Sequence, residues 1–133
     1  MKRLLKSMFV LLLILSACGQ SSEERAVRTA YNELTDNLES GDFDAVFNQM
    51  SSNTRTFLDD LASAFEFYGM GWGETGSEFL AGILSGIDMS DLSRNIKSVT
   101  FTSATRADVV TATDDGDETM TFVLEDGEWK LDF

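Results

Sequence analysis

Few residue types in this chain can do chemistry. Cys18 is its only cysteine, and the 133 residues include no histidine. Without histidine, no Ser-His-Asp or Cys-His nucleophile can be assembled, and the usual base near neutral pH and the commonest zinc ligand are both missing. Carboxylates, hydroxyls and phenols remain. Tyr31, Tyr68, Asp59 and Asp60 are the candidates for a carboxylate base with acidic hydrogen-bond donors in a dry pocket. Tyr31 falls on an apolar helix stripe, where a core tyrosine with one satisfied hydroxyl is expected. Asp59 and Asp60 adjoin on a helix and point in different directions, so at least one faces water. No spacing pairs a base with an orienting partner, and no catalytic residue is assigned. Asp114-Asp115-Gly116-Asp117-Glu118 offers hard oxygen ligands of the kind calcium takes. It lacks the ligand spacing of a calcium loop and is read as an acidic hairpin turn, so no metal and no cofactor are expected.

Cys18 has its own context. Lys2, Arg3 and Lys6 open the chain, an apolar run covers Met8 to Leu15, and Leu15-Ser16-Ala17-Cys18 follows. Basic, apolar and small-residue regions in that order are the signature of a secretion signal. The apolar run falls short of the ~20 residues a spanning helix needs. Leu15-Ser16-Ala17-Cys18 resembles the lipobox of bacterial lipoproteins. That resemblance implies cleavage before Cys18, a diacylglycerol (palmitate-type) anchor on its thiol and often acylation of the new amine. Two or more acyl chains anchor stably where one holds only marginally. The expected division is a signal peptide at 1–17, a lipidated cysteine with a short tether at 18–22 and a single domain at 23–133. The expected location is extracytoplasmic. Gly19 is not the aspartate that retains lipoproteins in many inner membranes, so the resemblance implies the outer membrane, facing the periplasm, in a Gram-negative cell.

Removing 17 residues from 133 leaves 116, enough for one ordinary domain with its own core. Lys2, Arg3 and Lys6 leave with the signal, so the mature part carries 7 basic and 23 acidic side chains, a formal charge of −16. That charge repels nucleic acid and anionic lipid head groups, and no nucleic-acid partner is expected. Four extended tether residues reach about 13 Å, which keeps the domain near the membrane.

The periodicity changes halfway along. Ser21-x-x-Glu24 fits a capping box, and Val27, Ala30, Tyr31, Leu34 and Leu38 recur at helical spacing. These predict a helix over 23–40, ended by Gly41. Asp42 can cap a second helix with Phe43, Val46, Phe47 and Met50 on one stripe. A third is expected over 53–68, lined by Phe57, Leu58, Leu61, Phe65 and Tyr68. Six of the ten glycines lie between Gly69 and Gly86, so backbone freedom concentrates there. Ser77 is the expected cap of a fourth helix, through Phe79, Leu80, Ile83 and Leu84 to near Ile87. Beyond Asp91 the pattern is β. Strands are expected over 96–105, 108–113, 118–124 and 128–133, with turns at Asp115-Gly116 and Asp126-Gly127. Helices followed by an antiparallel meander define an α+β domain.

Glu39-Ser40-Gly41-Asp42-Phe43-Asp44-Ala45 and the closing Thr121 to Leu131, with Asp126-Gly127-Glu128-Trp129-Lys130 at its turn, resemble the nuclear transport factor 2-like superfamily, and within it small bacterial lipoproteins. The resemblance covers most of 23–133. It implies N-terminal helices packed on a curved sheet, a cone with an apolar pocket, and either isomerase- or cyclase-like enzymes or non-catalytic binding and dimerising modules. Fold does not choose among these. The insert at 67–87, rich in glycine and aromatics, departs from the pattern. Phe65, Phe67, Tyr68, Met70, Trp72 and Phe79 are more aromatic and apolar surface than one helix face buries. The segment is therefore either a core helix pair with a flexible connector or a surface for an apolar ligand or partner. Tyr31, Phe65, Tyr68, Met70, Trp72 and Phe79 are the candidate residues. The leading expectation is a lipid-anchored envelope module, acidic and non-enzymatic, that binds an apolar small molecule or an envelope protein. A homodimer through the open sheet face and an isomerase- or cyclase-like enzyme are the alternatives.

Overall fold

The computed structural model describes residues 21–89 and 92–133. The lipobox residues Leu15 to Cys18 lie outside the described residues. Four helices precede four strands: α1 Ser22–Ser40, α2 Phe43–Asn48, α3 Ser52–Phe67, α4 Gly76–Leu84, β1 Ile96–Ser103, β2 Arg106–Thr113, β3 Gly116–Glu125 and β4 Glu128–Asp132. The fold is α+β, as the sequence predicts. No described helix is long and apolar enough to cross a membrane.

The caps explain where the helices begin. The Ser21 hydroxyl accepts from the Glu24 amide at 3.1 Å, while the Glu24 carboxylate turns forward to Arg28 at 3.1 Å. Gly41, at φ 75°, closes α1 in the left-handed conformation that costs glycine least. Asp42 and Ser51 cap α2 and α3. α4 starts earlier than predicted, because Thr75 rather than Ser77 caps it. Thr75 and Glu78 form a reciprocal capping box, which satisfies two amides at once and outcompetes a lone serine. Ser77 instead hydrogen-bonds Asp44.

The sheet is an antiparallel meander in the order β1-β2-β3-β4. Ala107, Val109 and Thr111 of β2 are fully buried on the helix-facing side, and Ala107, Phe122 and Leu131 share one cross-strand row. Asp126 at φ 51° and Gly127 at φ 80° both occupy the left-handed region, as a type I′ hairpin turn requires. The β2–β3 turn sits one residue earlier than predicted. Thr113 pairs with Gly116, which leaves Asp114-Asp115 at the tip. β2 starts at Arg106 rather than Asp108, after a two-residue Ala104-Thr105 connection. That connection contains no Gly, Pro, Asn or Asp, the strongest turn markers; the Ser103 hydroxyl accepts from the Thr105 amide at 3.2 Å and closes it.

Phe101 of β1 and Trp129 of β4 meet edge to face with centroids 5.7 Å apart. Their strands are three ladder steps apart, about 14 Å in a flat sheet. The sheet therefore curls around its helix-facing side, and the small Ala107 leaves room for both rings. β4 is not a free edge. The Ser51 amide donates to the Leu131 carbonyl at 2.7 Å, and the Leu131 amide to the Gln49 carbonyl at 2.8 Å. Met50, predicted on the α2 stripe, instead forms a parallel bridge to Leu131. At Leu131 the backbone groups of this edge are therefore already taken and cannot pair with another strand.

α1 lies across the sheet with Val27, Tyr31 and Leu34 facing it, and Tyr31 meets Phe122 edge to face at 6.5 Å. α3 buries Thr54, Leu58 and Ala62, with Leu61 and Phe65 partly covered. Phe57 and Tyr68, predicted on that buried side, are exposed. At about 100° per residue they fall roughly 80–100° round the helix from Leu58, beyond what the sheet and α4 cover.

Candidate functional site

The candidate residues part into two environments. Tyr31 and Phe79 are core residues, each about 2% exposed. Phe65 is half-buried, and Tyr68, Met70 and Trp72 stand in solvent at 73, 54 and 54% exposure. Phe67, beside them in sequence, is the most exposed large apolar residue described, at 84%. Sequence reasoning counted Phe67 in the aromatic excess without placing it at the surface. The signal was available, because Phe67 lies opposite Leu58 on the α3 wheel.

Local backbone explains how the aromatics gather. α3 ends at Phe67, Gly69 takes φ 73°, and the Met70 amide returns to the Phe65 carbonyl at 2.9 Å. The chain then doubles back so that Trp72 stacks on Phe65 at 5.9 Å and 19° and meets Phe79 at 6.0 Å. Gly82 makes this close: a Cβ there would lie 3.3 Å from the Trp72 Cβ. Gly76 seats α4 on α3. Its amide donates to the Asp59 carboxylate at 2.7 Å, and a Cβ would meet Asp59 at 2.6 Å and Phe47 at 2.9 Å. One face of Trp72 is thus anchored and the other faces water. Phe67 and Tyr68 touch edge to face at 5.5 Å and extend the exposed surface away from α4.

The interface between helices and sheet is filled by side chains rather than hollow: Tyr31, Leu34, Val109 and Phe122 are all 2% exposed or less. Hollows lie at the surface instead. A groove of about 740 Å³ runs between the α1–α2 corner, with Leu38 and Phe43, and the segment after α4, with Leu84 and Met89. A second, of about 330 Å³, separates α1 from the β3–β4 turn.

The catalytic candidates do not converge. The Tyr31 hydroxyl donates to the Ser93 carbonyl at 2.5 Å, Asp59 accepts from Gly76 as above, and Asp60 and Tyr68 are exposed. Among the described residues the buried polar side chains are Thr35, Ser51, Thr54 and Thr111, with no carboxylate. The described residues also contain no cluster of three acidic, cysteine or histidine side chains able to hold a metal. In the 114–118 turn, Asp117 pairs with Lys97 at 2.8 Å.

Electrostatics follow the ion pairs. Arg94 bridges Asp36 and Glu39, each at 2.7 Å. Hydrogen bonds to Glu39 and Asp36 hold its proton even more firmly than usual. Lys130, 2.9 Å from Glu128, keeps that carboxyl below its ordinary range. Burial pushes the Tyr31 phenol above its ordinary value, against a smaller opposing pull from Thr111. Its unfolded counterpart ionises at about pH 10. Above that pH the unfolded chain binds fewer protons than the folded one, so stability is full below pH ~10 and falls as pH rises through the folded pKa of Tyr31. Tyr31→Phe should cost about 1–2 kcal/mol at neutral pH, because the Ser93 carbonyl loses its donor. It should also make the alkaline loss shallower. Urea melts from pH 7 to 11 check both; an unchanged alkaline slope means Tyr31 is not the titrating group.

No family model matches the chain, and no curated protein sequence matches it. Among solved structures, a chain from Campylobacter jejuni named as an NTF2-like transpeptidase aligns with 85% of this chain and 99% of its own length, at 14% identity and a TM-score of 0.44. At that level of likeness no residue role or activity passes from it to this chain.

Proposed function

We propose that this chain is a membrane-anchored lipoprotein of the cell envelope whose folded part is a non-enzymatic binding module. The anchor rests on the resemblance of Leu15-Ser16-Ala17-Cys18 to a lipobox. The binding role is carried by one observation: Phe67, Tyr68, Met70 and Trp72 expose their apolar surface together, at the end of α3 and in the connection to α4. Scattered exposed apolar residues are ordinary, but four within the six residues from Phe67 to Trp72 point to a surface that is covered in use. A filled helix–sheet interface favours a partner or ligand seated on this surface over one enclosed in a cone. The nuclear transport factor 2-like resemblance adds that such folds serve as binding modules.

The test is purification of the mature chain from its own host with Cys18 replaced, followed by native and denaturing mass spectrometry. A species present only under native conditions supports the module. It should be lost in Tyr68→Ser and reduced in Trp72→Ala. Trp72→Ala should also cost about 1–2 kcal/mol, since only one face of the ring is packed. A cooperative collapse of the fold in Trp72→Ala would make the ring core and remove it from the site. Absence of any co-purifying species would sink the small-molecule arm.

A further inference from the structure

The chain enters the fold beside the tip of the first hairpin. Ser21 and Glu23, at the start of α1, line a shallow groove of about 390 Å³ with Phe101, Ser103 and Ala104. The β3–β4 turn stands at the same end, because Arg106 pairs with Val123, and Gly127 shares a second groove with Ala26 and Ala30 of α1. Three residue steps separate Cys18 from Ser21, and they span about 11 Å at most. An anchor on Cys18 therefore keeps this end close to the lipid. The β2–β3 turn lies at the opposite end of the eight-residue β2, about 23 Å away.

Charge is divided between the two ends. Over residues 22–28, 101–106 and 124–130, which meet at the entry end, five acids face four bases, a net charge of −1. Glu24 pairs there with Arg28, and Glu128 with Lys130. Over 36–39, 94–97 and 114–118, at the other end, six acids face two bases, a net charge of −4. Arg94 gathers Asp36 and Glu39 at that end, Lys97 holds Asp117, and Asp114 and Asp115 are exposed at the tip. Repulsion from anionic head groups acts over about 8 Å at physiological salt. A domain standing on its entry end escapes it, whereas one lying flat does not. The entry end also suits lipid. Thr102 to Thr105 carry no charge, and Phe101 behind them is 37% exposed while it packs on Trp129. In the head-group layer the ring loses water and the hydroxyls keep hydrogen-bond partners. We infer that the β1–β2 end of the domain is a lipid-facing surface, seated on the bilayer that holds Cys18, with the 114–118 turn held outward. The inference rests on the anchored-lipoprotein reading and adds to it the orientation of the domain.

The experiment uses the full chain, expressed in its own host, extracted in detergent and reconstituted into vesicles of phosphatidylcholine and phosphatidylglycerol. Cys18 is the only cysteine, so its acylation leaves an introduced cysteine as the sole reactive thiol. Ala104→Cys, Asp115→Cys and Tyr68→Cys, all at exposed positions, are each labelled with a thiol-reactive fluorophore, and a quencher is carried on the lipid head groups. The label at Ala104 should be quenched about threefold or more strongly than that at Asp115, which lies about 23 Å farther out along β2. The label at Tyr68 should also be quenched less than that at Ala104. Quenching at Asp115 or Tyr68 that matches or exceeds quenching at Ala104 overturns the orientation, because the domain then lies on another face or tumbles freely. Intact mass and thiol labelling of the wild-type chain test the anchor separately. A free Cys18 without added lipid overturns the anchor, and the orientation falls with it. An acylated chain with uniform quenching overturns the orientation alone.

Discussion

Phe122→Ala should lower the free energy of unfolding by about 3–5 kcal/mol, the range for removing a fully buried aromatic ring. Phe122 is 1% exposed and sits where every layer meets. Its neighbours across the sheet are Ala107 and Leu131, and Tyr31 of α1 lies edge to face above it. Ala107 is too small to expand into the gap, and the Tyr31 hydroxyl is tied to Ser93. The cavity therefore stays largely open and its full cost is felt. Chemical denaturation with matched m-values checks this. A loss under about 1.5 kcal/mol, the range of a volume-conserving swap, would mean that the sheet and α1 close over the site. The helix–sheet interface would then be looser than its burial indicates.

The second large effect is expected at Ser51, because three structural jobs meet in one hydroxyl. Its oxygen accepts from the Thr54 amide at 3.2 Å as the cap of α3. Its hydroxyl lies 3.0 Å from Thr54 Oγ1 and 2.6 Å from the Asp132 carboxylate. Thr54 in turn accepts from the Phe133 amide at 3.1 Å. Ser51 is 1% exposed, so water cannot replace what Ser51→Ala removes. Loss of the cap costs about 1 kcal/mol, and loss of the hydrogen bond to the charged, partly buried Asp132 adds about 1.5–3 kcal/mol. A total of about 2–4 kcal/mol is expected by equilibrium denaturation. Amide exchange should speed up together at the start of α3 and in β4. Exchange that quickens in α3 alone would show that the link to Asp132 contributes nothing to stability.

These two sites differ in how visible they were beforehand. Phe122 alternates with Thr121 and Val123, and period-two patterning is enough to put it on a buried face. Position before a helical stripe narrows the cap to Ser51 or Ser52 without choosing between them, and the tie from Ser51 to Asp132 spans 81 residues. No local pattern encodes a contact of that separation. The same holds for the bridge from Met50 to Leu131, which closes the β4 edge.

The candidate surface shows a similar division. Composition determined that aromatic residues between Phe65 and Phe79 exceed what one helix face can bury. It could not say which of them would stay outside. Phe79 went into the core and Phe65 half-way, whereas Phe67, Tyr68, Met70 and Trp72 stayed at the surface. The outcome depends on where α4 lies against α3, and that is set by Gly76 beside Asp59 and Gly82 beside Trp72.

By itself, the sequence determined the order of elements, the α+β class, the caps at Ser21 and Asp42, and the Asp126-Gly127 turn, and it narrowed the cap of the third helix to Ser51 or Ser52. All of these are local: a residue's own backbone preference and the period of its neighbours suffice. Only the tertiary structure decided the curl of the sheet, the filling of its concave side and the flank of α3 left bare. Those depend on which surfaces meet across the chain, and burial is a property of the assembled layers rather than of any single segment.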